Sequence, residues 1–187
     1  MLYTRKGDTG TSGLFGSKLR LPKNSPIYEA LGTLDELNSL LGLCRASVCG
    51  ISNKWSPAIS AEVLPELLKA QEYIFIIQAE LAGAEKSISQ SQVDGIEKTI
   101  DCIERMIPQP LGFVIPGSIE IAAWCDYARA VSRGAERTVI AAQPEKVLSA
   151  HTMAYLNRLS SLLYSLARYS AVLEKVNEAS PSYNNNN

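Results

Sequence analysis

The strongest constraint on the fold is an apolar periodicity of helical type that returns five times along the chain. In its clearest instance the apolar residues recur at alternating intervals of three and four positions, at Val93, Ile96, Ile100, Ile103 and Ile107. This spacing places them on one face of an α-helix. We predict helices over residues 28–49, 60–81, 90–107, 118–142 and 145–176.

Stop signals separate these helices by short connections. Gly50 and residues 52–54 end the first helix, and Pro108 and Pro110 end the third. No convincing alternation of strand type is present anywhere in the chain. The sequence therefore predicts an all-α fold, a five-helix bundle with an N-terminal glycine-rich loop.

The composition fits one helical domain over residues 1–187. At ~150 residues per domain, a chain of 187 residues suggests a single domain. Apolar residues make up 46% and charged residues 20%, which excludes global disorder. The net charge of −1 gives no overall positive field for nucleic acid. Residues 177–187, SPSYNNNN with the residues before it, are predicted to form a flexible tail.

Several classes of protein are excluded by what the chain lacks. Its single histidine, His151, cannot build a zinc or di-iron site that needs two, so we expect no metal site made by the protein alone. The four cysteines form no C-x-x-C pair and are expected to be free thiols in a reducing compartment. We see neither a signal peptide nor a membrane span, so a cytoplasmic protein is expected.

The first 26 residues differ from the rest because glycine recurs every three positions, at Gly7, Gly10, Gly13 and Gly16. Threonine and serine hydroxyls lie between these glycines, and Asp8 could hold a magnesium ion or its waters. Glycines let backbone amides face a bound anion. A phosphate-binding loop is one interpretation, and a floppy N-terminal arm is the other. Neither a Walker A motif nor a dinucleotide fingerprint is present.

Three arginines on the fourth helix, Arg129, Arg133 and Arg137, are spaced four apart and therefore share a face. Glu136 and Asp126 lie beside them. A guanidinium ladder suits a polyphosphate, because the planar fork matches phosphate oxygens. A solvated, salt-bridged stripe is the alternative interpretation.

Two further polar positions lie among apolar residues. Asp35 is predicted to be a partly buried carboxylate that shares a face with Asn38 and needs a cation or donors, or else a surface or capping acid. Asn157, in the apolar stretch of the fifth helix, is predicted either to point into a site or to be a hydrogen-bonded core amide. His151 is expected at the surface or at a helix cap.

Four segments in order resemble the propanediol-utilisation type of ATP:corrinoid adenosyltransferase. They are TRKGDTGTSGLFG, PKNSPIYEALGTLDELNSLLG, FVIPG followed by ARAVSRGAER, and YLNRLS. The resemblance runs from Tyr3 to about Arg168 and includes LLKAQEYIFIIQAELA in the second helix. It implies a transferase that moves the 5′-deoxyadenosyl group of ATP to the cobalt of cob(I)alamin and releases triphosphate, with magnesium carried by the nucleotide.

The resemblance also implies a homotrimer with active sites between subunits, served by a reductase and delivering to a cobalamin-dependent mutase. The residues implied to bind ATP are Thr4, Arg5, Lys6, Gly7, Ser12, Gly13, Lys23, Arg133, Glu136, Arg137 and Asn157. Those implied to act in catalysis are Asp35, Phe113, Arg129 and Arg133. Arg129 would pair with Asp35, and Phe113 would displace the lower axial base of the corrinoid. The alternative is a non-catalytic sensor or chaperone that binds ATP or adenosylcobalamin.

Four positions depart from the family pattern. Gly134 replaces the second arginine of R-R-A-E-R, and Asp126 stands near the place of a histidine that precedes A-R. Ser118 replaces the second glycine of P-G-G, and Ser161 replaces the acid after L-N-R-L-S. These departures bear on affinity, corrinoid preference and magnesium handling. Asp126 is expected to pair with Arg129 or Arg133.

Overall fold

The structure is a computed structural model that describes residues 3–49, 55–109 and 112–182. The predicted stop signals at Gly50, 52–54 and Pro110, and residues 183–187 of the predicted tail, lie outside the described residues. Five α-helices follow one another: α1 Pro26–Cys49, α2 Leu64–Leu81, α3 Gln90–Glu104, α4 Glu120–Ala142 and α5 Ala150–Leu173. The helices confirm the predicted all-α class. In the described part of the chain, none of them combines the length and the hydropathy of a membrane span.

The helices run alternately up and down around one apolar core. Helix α4 packs against both α1 and α5, while α2 packs on α1 and α3 packs on α5. At one end Glu80, in the last turn of α2, accepts a hydrogen bond of 2.7 Å from the backbone of Ser149, which precedes α5. At the other end Ser56, before α2, donates its N–H to Glu174 after α5 at 2.7 Å. The core contains fully buried leucines of α1 and α5, among them Leu34, Leu37, Leu41, Leu163 and Leu166.

Most helix ends differ from the prediction by a few residues, for local reasons. Helix α3 ends at Glu104 rather than Ile107, because Pro108 disfavours helical backbone in the residue before it. Helix α5 begins at Ala150 rather than residue 145, because the Ser149 side chain accepts from the backbone of Thr152 and caps the helix there. Residues Ile59–Val63 form a π-helical turn ahead of α2.

The glycine-rich segment contains a short hairpin that no alternation in the sequence indicates. Strand β1, Thr11–Gly13, pairs antiparallel with β2, Arg20–Pro22. Each strand has only three residues, too few to show a period of two in the sequence. The hairpin depends on hydrogen bonds from Arg20 rather than on apolar alternation, as described below.

Residues 177–182 of the predicted tail pack against the bundle, and the flexibility of the tail stays a prediction. Ala179 accepts a backbone hydrogen bond of 2.8 Å from Ile115, and Glu178 lies 2.9 Å from the buried guanidinium of Arg168. A polar composition predicts disorder only when its charged groups find no partners in the fold. Here the partner of Glu178 comes from α5, which composition cannot reveal.

Candidate functional site

The glycine-rich segment folds back on itself and brings several predicted ATP-binding residues together. Gly10 donates to the carbonyl of Gly7 at 3.1 Å, and Lys23 donates its backbone N–H to Gly10 at 2.9 Å. The Lys23 ammonium lies over Gly7, where a Cβ would approach Nζ to 3.0 Å. Positive φ at Gly10 (77°) makes the turn that glycine permits at least cost. The turn thus forms a cradle whose amides of Gly10 and Lys23 are used internally, and the group that it offers to an anion is the Lys23 ammonium.

Arg20 braces this loop, and sequence reasoning missed it. Its Nε donates to Thr11 Oγ1 at 3.0 Å, and its Nη2 donates to the carbonyl oxygens of Thr11 and Lys6. One guanidinium therefore ties β1 and β2 to the turn that precedes them. These acceptors are all neutral, so Arg20 positions the loop and keeps its positive charge. Only its place in a glycine-rich segment could have marked it.

The remaining predicted loop residues lie around this cradle, where Thr4, Arg5 and Gly13 are exposed and Ser12 is partly buried. Thr4 Oγ1 accepts from the backbone of Lys6 at 3.4 Å, and Arg5 stacks over the ring of Tyr3 at 5.4 Å. Arg5 has a positive φ of 59°, which is uncommon outside glycine and turns its side chain away from the path of a normal strand. Ser12 and Gly13 lie in β1. The loop thus presents hydroxyls and cations to solvent.

The arginine face of α4 opens onto a cleft of about 350 Å³ between α3, α4 and α5. Arg129 and Arg133 line it from α4. Ser160, Ser161 and Tyr164 line it from α5. Ile100, Glu104 and Ile107 line it from the α3 side. The cleft therefore joins hydroxyl and guanidinium donors to an apolar wall and one carboxylate, a mixed lining that suits a ligand with both anionic and apolar parts.

Glu136 and Asn157 meet beside this cleft. The Asn157 amide donates to Glu136 Oε1 at 2.9 Å, and its oxygen accepts from Arg158 at 2.9 Å. Asn157 is exposed, so the core-amide interpretation was wrong. The third arginine of the ladder, Arg137, is also exposed and places its Nη2 3.9 Å from where a Cβ on Gly134 would lie. Glycine at position 134, where the family has arginine, therefore leaves space on the helix surface next to the Arg137 side chain.

Asp126 is buried and has a partner that the sequence did not suggest. It forms a short ion pair with Arg168 of α5 and lies 3.9 Å from Nε of Arg129. Arg168 is 3% exposed and stacks over the Tyr164 ring at 5.0 Å. Asp126 is thus near Arg129, as expected, but its main partner is Arg168. A buried carboxylate needs such compensation, and Asp126 could have been recognised only if its burial were known.

Phe113 lies in the link between α3 and α4 and is 77% exposed, so it is no core aromatic. It borders a cavity of about 570 Å³ together with Asp126, Arg129 and Tyr164. Arg129 lines both this cavity and the α3–α4–α5 cleft. The structure therefore brings Phe113 and two of the three ladder arginines to adjoining concavities.

Asp35 is exposed, in agreement with the surface interpretation and not with the partly buried one, while Asn38 three residues on is 5% exposed and packed in the core. The two residues therefore do not share a solvent face. Within the residues that the structure describes, Asp35 has no ion pair with Arg129. His151 is exposed in the first turn of α5, as expected. The pairing of Asp35 with Arg129 stays a prediction.

The loop and the arginine face are not joined directly within the protomer. Across residues 3–25 and α4, both fully described, no hydrogen bond or ion pair connects the two. The same part of the structure holds no group of three acidic, histidine or cysteine side chains placed for a metal ion. The two halves of the predicted ATP site are thus built separately on one chain.

Comparison with known proteins gives a consistent result. The sequence model of the cobalamin adenosyltransferase family matches residues 2–170. A protein named corrinoid adenosyltransferase PduO from Citrobacter freundii is 35% identical over 167 residues, which cover 89% of this chain and 49% of that protein. A shorter corrinoid adenosyltransferase from the same organism is 36% identical, with 89% of this chain and 93% of that protein covered.

The chain spans about half the length of the PduO proteins that it matches. Among solved structures, a variant PduO-type ATP:corrinoid adenosyltransferase from Lactobacillus reuteri, complexed with cobalamin and ATP, superposes with a TM-score of 0.85 at 27% identity. That alignment covers 99% of this chain and 100% of the other. The fold, the motifs and these matches agree, and the chain belongs to the cobalamin adenosyltransferase family.

Proposed function

We propose that the protein transfers the 5′-deoxyadenosyl group of ATP to the cobalt of cob(I)alamin. The observation that carries the proposal is the adjoining pair of concavities, in which Arg129 lines both and Phe113 borders one. A polyphosphate and a flat, largely apolar macrocycle are two very different ligands. A cationic cleft beside a cavity with an exposed aromatic ring offers a suitable surface to each.

The chemistry needs little from the protein beyond placement and charge. Cobalt(I) attacks C5′ of ATP, so a cobalt–carbon bond forms while the C5′–oxygen bond breaks. The triphosphate leaves with the electron pair, and the cobalt is formally oxidised from Co(I) to Co(III). Since the nucleophile is the metal of the substrate, no activated serine or cysteine is required. Orientation of C5′ against cobalt can contribute about 7–11 kcal/mol.

The leaving triphosphate is where the cations act. Arg133 and Arg137 are exposed on α4, and Lys6 and Lys23 stand on the glycine-rich loop. Each donor aimed at developing negative charge contributes about 2.7–4 kcal/mol. Glu136 and Asn157, already hydrogen-bonded at 2.9 Å, would fix one edge of the nucleotide site. We assign Thr4, Arg5, Gly7, Ser12 and Gly13 to the same nucleotide.

Magnesium is proposed to arrive with ATP. Mg²⁺ in nucleotide sites is bound by one or two carboxylates together with substrate phosphates and water. Asp8 is an exposed carboxylate in the loop that could serve, with the neighbouring threonine hydroxyls. These groups fit an ion carried by the substrate rather than one held by the protein alone.

Phe113 is assigned to the corrinoid side. An exposed ring at the edge of the cavity can occupy the space below the corrin plane and displace the lower axial base. Loss of that donor lowers the orbital that accepts the electron, so Co(II) becomes easier to reduce to Co(I). Asp35 and Arg129 would pair across a subunit boundary and order the corrinoid side of the site.

The assembly is proposed to be a homotrimer whose sites lie between subunits. The separation of the loop from the arginine face within one chain supports this arrangement. The four cysteines are free thiols, which supports a reducing compartment such as the cytoplasm. A reductase would supply cob(I)alamin, and a cobalamin-dependent mutase would take the product.

The test is direct. The protein is incubated with ATP, Mg²⁺ and chemically reduced cobalamin, and the visible spectrum is followed for conversion to adenosylcobalamin. Conversion that depends on both ATP and protein is the expected result. Binding of ATP without any conversion would overturn the proposal in favour of the non-catalytic sensor. The sensor is less favoured, because it has no need for Asp35, Arg129 and Phe113 together.

A further inference from the structure

The link that carries Phe113 is bordered by open space. Gly112 and Val114 line the cavity of about 570 Å³ that Phe113 borders. The same two residues also line a second cavity of about 450 Å³, whose other walls include Asn177 and Glu178. A segment that adjoins two cavities is held less by packing than by its specific hydrogen bonds. The contacts that hold this link in place therefore also determine where Phe113 lies.

The hydrogen bonds come from the segment after α5. We call residues 174–182 the C-terminal strap. Ile115, two residues beyond Phe113, donates its N–H to the carbonyl of Ala179 at 2.8 Å. Ser118, at the other end of the link, donates its hydroxyl to Glu178 Oε1 at 3.3 Å. Two points of the link are thus bound to adjacent residues of the strap.

The strap is itself anchored in the bundle through Glu178. Its carboxylate lies 2.9 Å from Nε of Arg168. Arg168 is held on its other sides by the ion pair with Asp126 and by the Tyr164 ring at 5.0 Å. Removal of one partner from a buried charge cluster is costly, because the remaining charge is left uncompensated. Backbone hydrogen bonds from Lys175 and Val176 to the last turn of α5 fix the start of the strap, and Glu178 is the side chain that ties the part beyond them to α5.

The anchor also reaches the arginine face. Asp126, which binds Arg168, lies 3.9 Å from Nε of Arg129. Two carboxylates and two guanidiniums thus alternate from the strap to the cleft: Glu178, Arg168, Asp126 and Arg129. A change at Glu178 alters the charge balance around Arg168 and binds Asp126 more firmly to Arg168, at the expense of its contact with Arg129.

We propose that the C-terminal strap positions Phe113 for the corrinoid, and that Glu178 is the positioning residue through which it does so. The inference rests on the proposed function only for the role of Phe113 toward cobalt. The mechanical part, that Glu178 holds the link, stands on the contacts alone. Glu178 touches neither Phe113 nor, in this proposal, the substrates.

The mechanical part is tested by hydrogen–deuterium exchange on the protein without substrates. The variants are Glu178→Ala and, as a matched control, Glu145→Ala, which removes an exposed carboxylate in the turn after α4. In Glu178→Ala, amides of residues 112–118, and that of Ile115 above all, are expected to exchange about tenfold faster, while the helix amides keep their protection. Equal exchange of the link in both variants would overturn the inference. If Glu178→Ala loses its helical circular dichroism, Glu178→Gln carries the same test, since it keeps the side-chain shape and removes the charge.

The functional part is tested by electron paramagnetic resonance of cob(II)alamin with protein and ATP. Loss of the nitrogen superhyperfine splitting reports loss of the lower axial base. The wild-type protein is expected to lose the splitting, and Phe113→Ala to keep it. Glu178→Ala is expected to convert a severalfold smaller fraction, with the ATP KM unchanged. If Phe113→Ala still loses the splitting, the role given to Phe113 fails, whatever the exchange result. If Phe113→Ala behaves as expected and Glu178→Ala matches Glu145→Ala, the positioning role is overturned.

Discussion

At the scale of single residues, the arginines of α4 differ in what they are free to do. Arg129 lies 3.9 Å from buried Asp126. On the neighbouring helix α5, Arg158 also has a carboxylate partner, Glu97 at 3.0 Å. Arg133 lines the cleft and, among the described residues, has no carboxylate partner. Its guanidinium is therefore available to an incoming anion without breaking an ion pair. This singles out Arg133 as the side chain on which nucleotide use depends most.

We predict that Arg133→Ala lowers kcat/KM for ATP by about 10²–10³-fold, the effect of losing one donor aimed at developing charge. Arg105→Ala, on an exposed residue just after α3, removes the same charge outside the cleft and is the control. Steady-state kinetics of adenosylcobalamin formation measure both. Unchanged kinetics in Arg133→Ala, or an equal loss in Arg105→Ala, would contradict the assigned role.

A second residue, Tyr169, couples stability to alkaline pH. Burial, with the hydrogen bond to Glu62, raises the pKa of Tyr169 to about 12. The unfolded chain loses this proton near its ordinary pKa of about 10. Between these values the folded state binds more protons than the unfolded state, so stability is full below about pH 10 and falls as pH rises.

Tyr169→Phe is therefore predicted to remove part of the alkaline loss. The difference between the two proteins should change by about 1.4 kcal/mol between pH 8 and pH 11, because about one of the two pKa units is expressed by pH 11 and each unit is worth about 1.4 kcal/mol. Urea unfolding of both proteins from pH 8 to pH 11 measures this difference in the free energy of unfolding. The contributions of the lysines and cysteines that both proteins share cancel in the difference. Parallel curves for the two proteins would show that Tyr169 does not titrate as described.

At the scale of elements, the helices could be predicted from spacing, while their ends and connections could not. The periodic residues Val93, Ile96 and Ile103 are buried on α3, as an amphipathic face requires. Helix α5 begins five residues later than predicted, because its first turn is fixed by Ser149 and by the carboxylate of Glu80 from α2. A capping carboxylate 69 residues away in sequence leaves no local signal.

The candidate site divides in the same way. The residues that face solvent, Arg133 and Phe113 among them, lie in motifs that the sequence displays. The residues that support them, Arg20, Arg168 and Glu178, act through contacts with other segments of the chain, which no spacing in the sequence displays. Arg168 sits within an apolar run of α5, where a buried charge is visible only once Asp126 and Glu178 are placed beside it.

Two glycines in or beside helices are predicted to respond in opposite directions to alanine. Gly83 ends α2 with φ +100° and donates to the carbonyl of Glu80 at 3.0 Å, while Ala84 donates to Ala79 at 2.9 Å, which together form a Schellman motif. Gly83→Ala forces a side chain into that conformation and should destabilise by about 1–2 kcal/mol. Gly95 is exposed within α3 with open space around it, so Gly95→Ala should stabilise by about 0.5–1 kcal/mol. Urea unfolding checks both, and a shift of the same sign in the two variants would contradict the assigned conformations.

At the scale of the whole molecule, the two halves of the proposed ATP site occupy different parts of one chain. The hairpin packs near the end of α2, where a Cβ on Gly83 would lie 3.7 Å from the carbonyl of Phe15. The cleft with Arg129 and Arg133 faces α3 and α5 instead. A ring of subunits lets the loop of one copy reach the arginines of the next, since a cyclic assembly repeats one interface around its axis.

This arrangement predicts that two inactive variants restore activity when their subunits mix. Lys6→Ala removes a cation from the loop alone, and Arg133→Ala removes one from the arginine face alone. In a mixed ring, a site is intact where the loop of an Arg133→Ala subunit contacts the arginine face of a Lys6→Ala subunit. Random mixing of equal amounts makes this combination at about one quarter of the sites. A site made within one chain would leave every site defective.

The variants are unfolded together and refolded, native mass spectrometry verifies that mixed assemblies form, and adenosylcobalamin formation is measured. Lys6→Ala mixed with Lys23→Ala offers no intact loop and should stay inactive. If mixed assemblies form and no activity returns, the shared site is excluded. Such assemblies contain intact loops beside intact arginine faces on neighbouring subunits, and a shared site would make these pairs active.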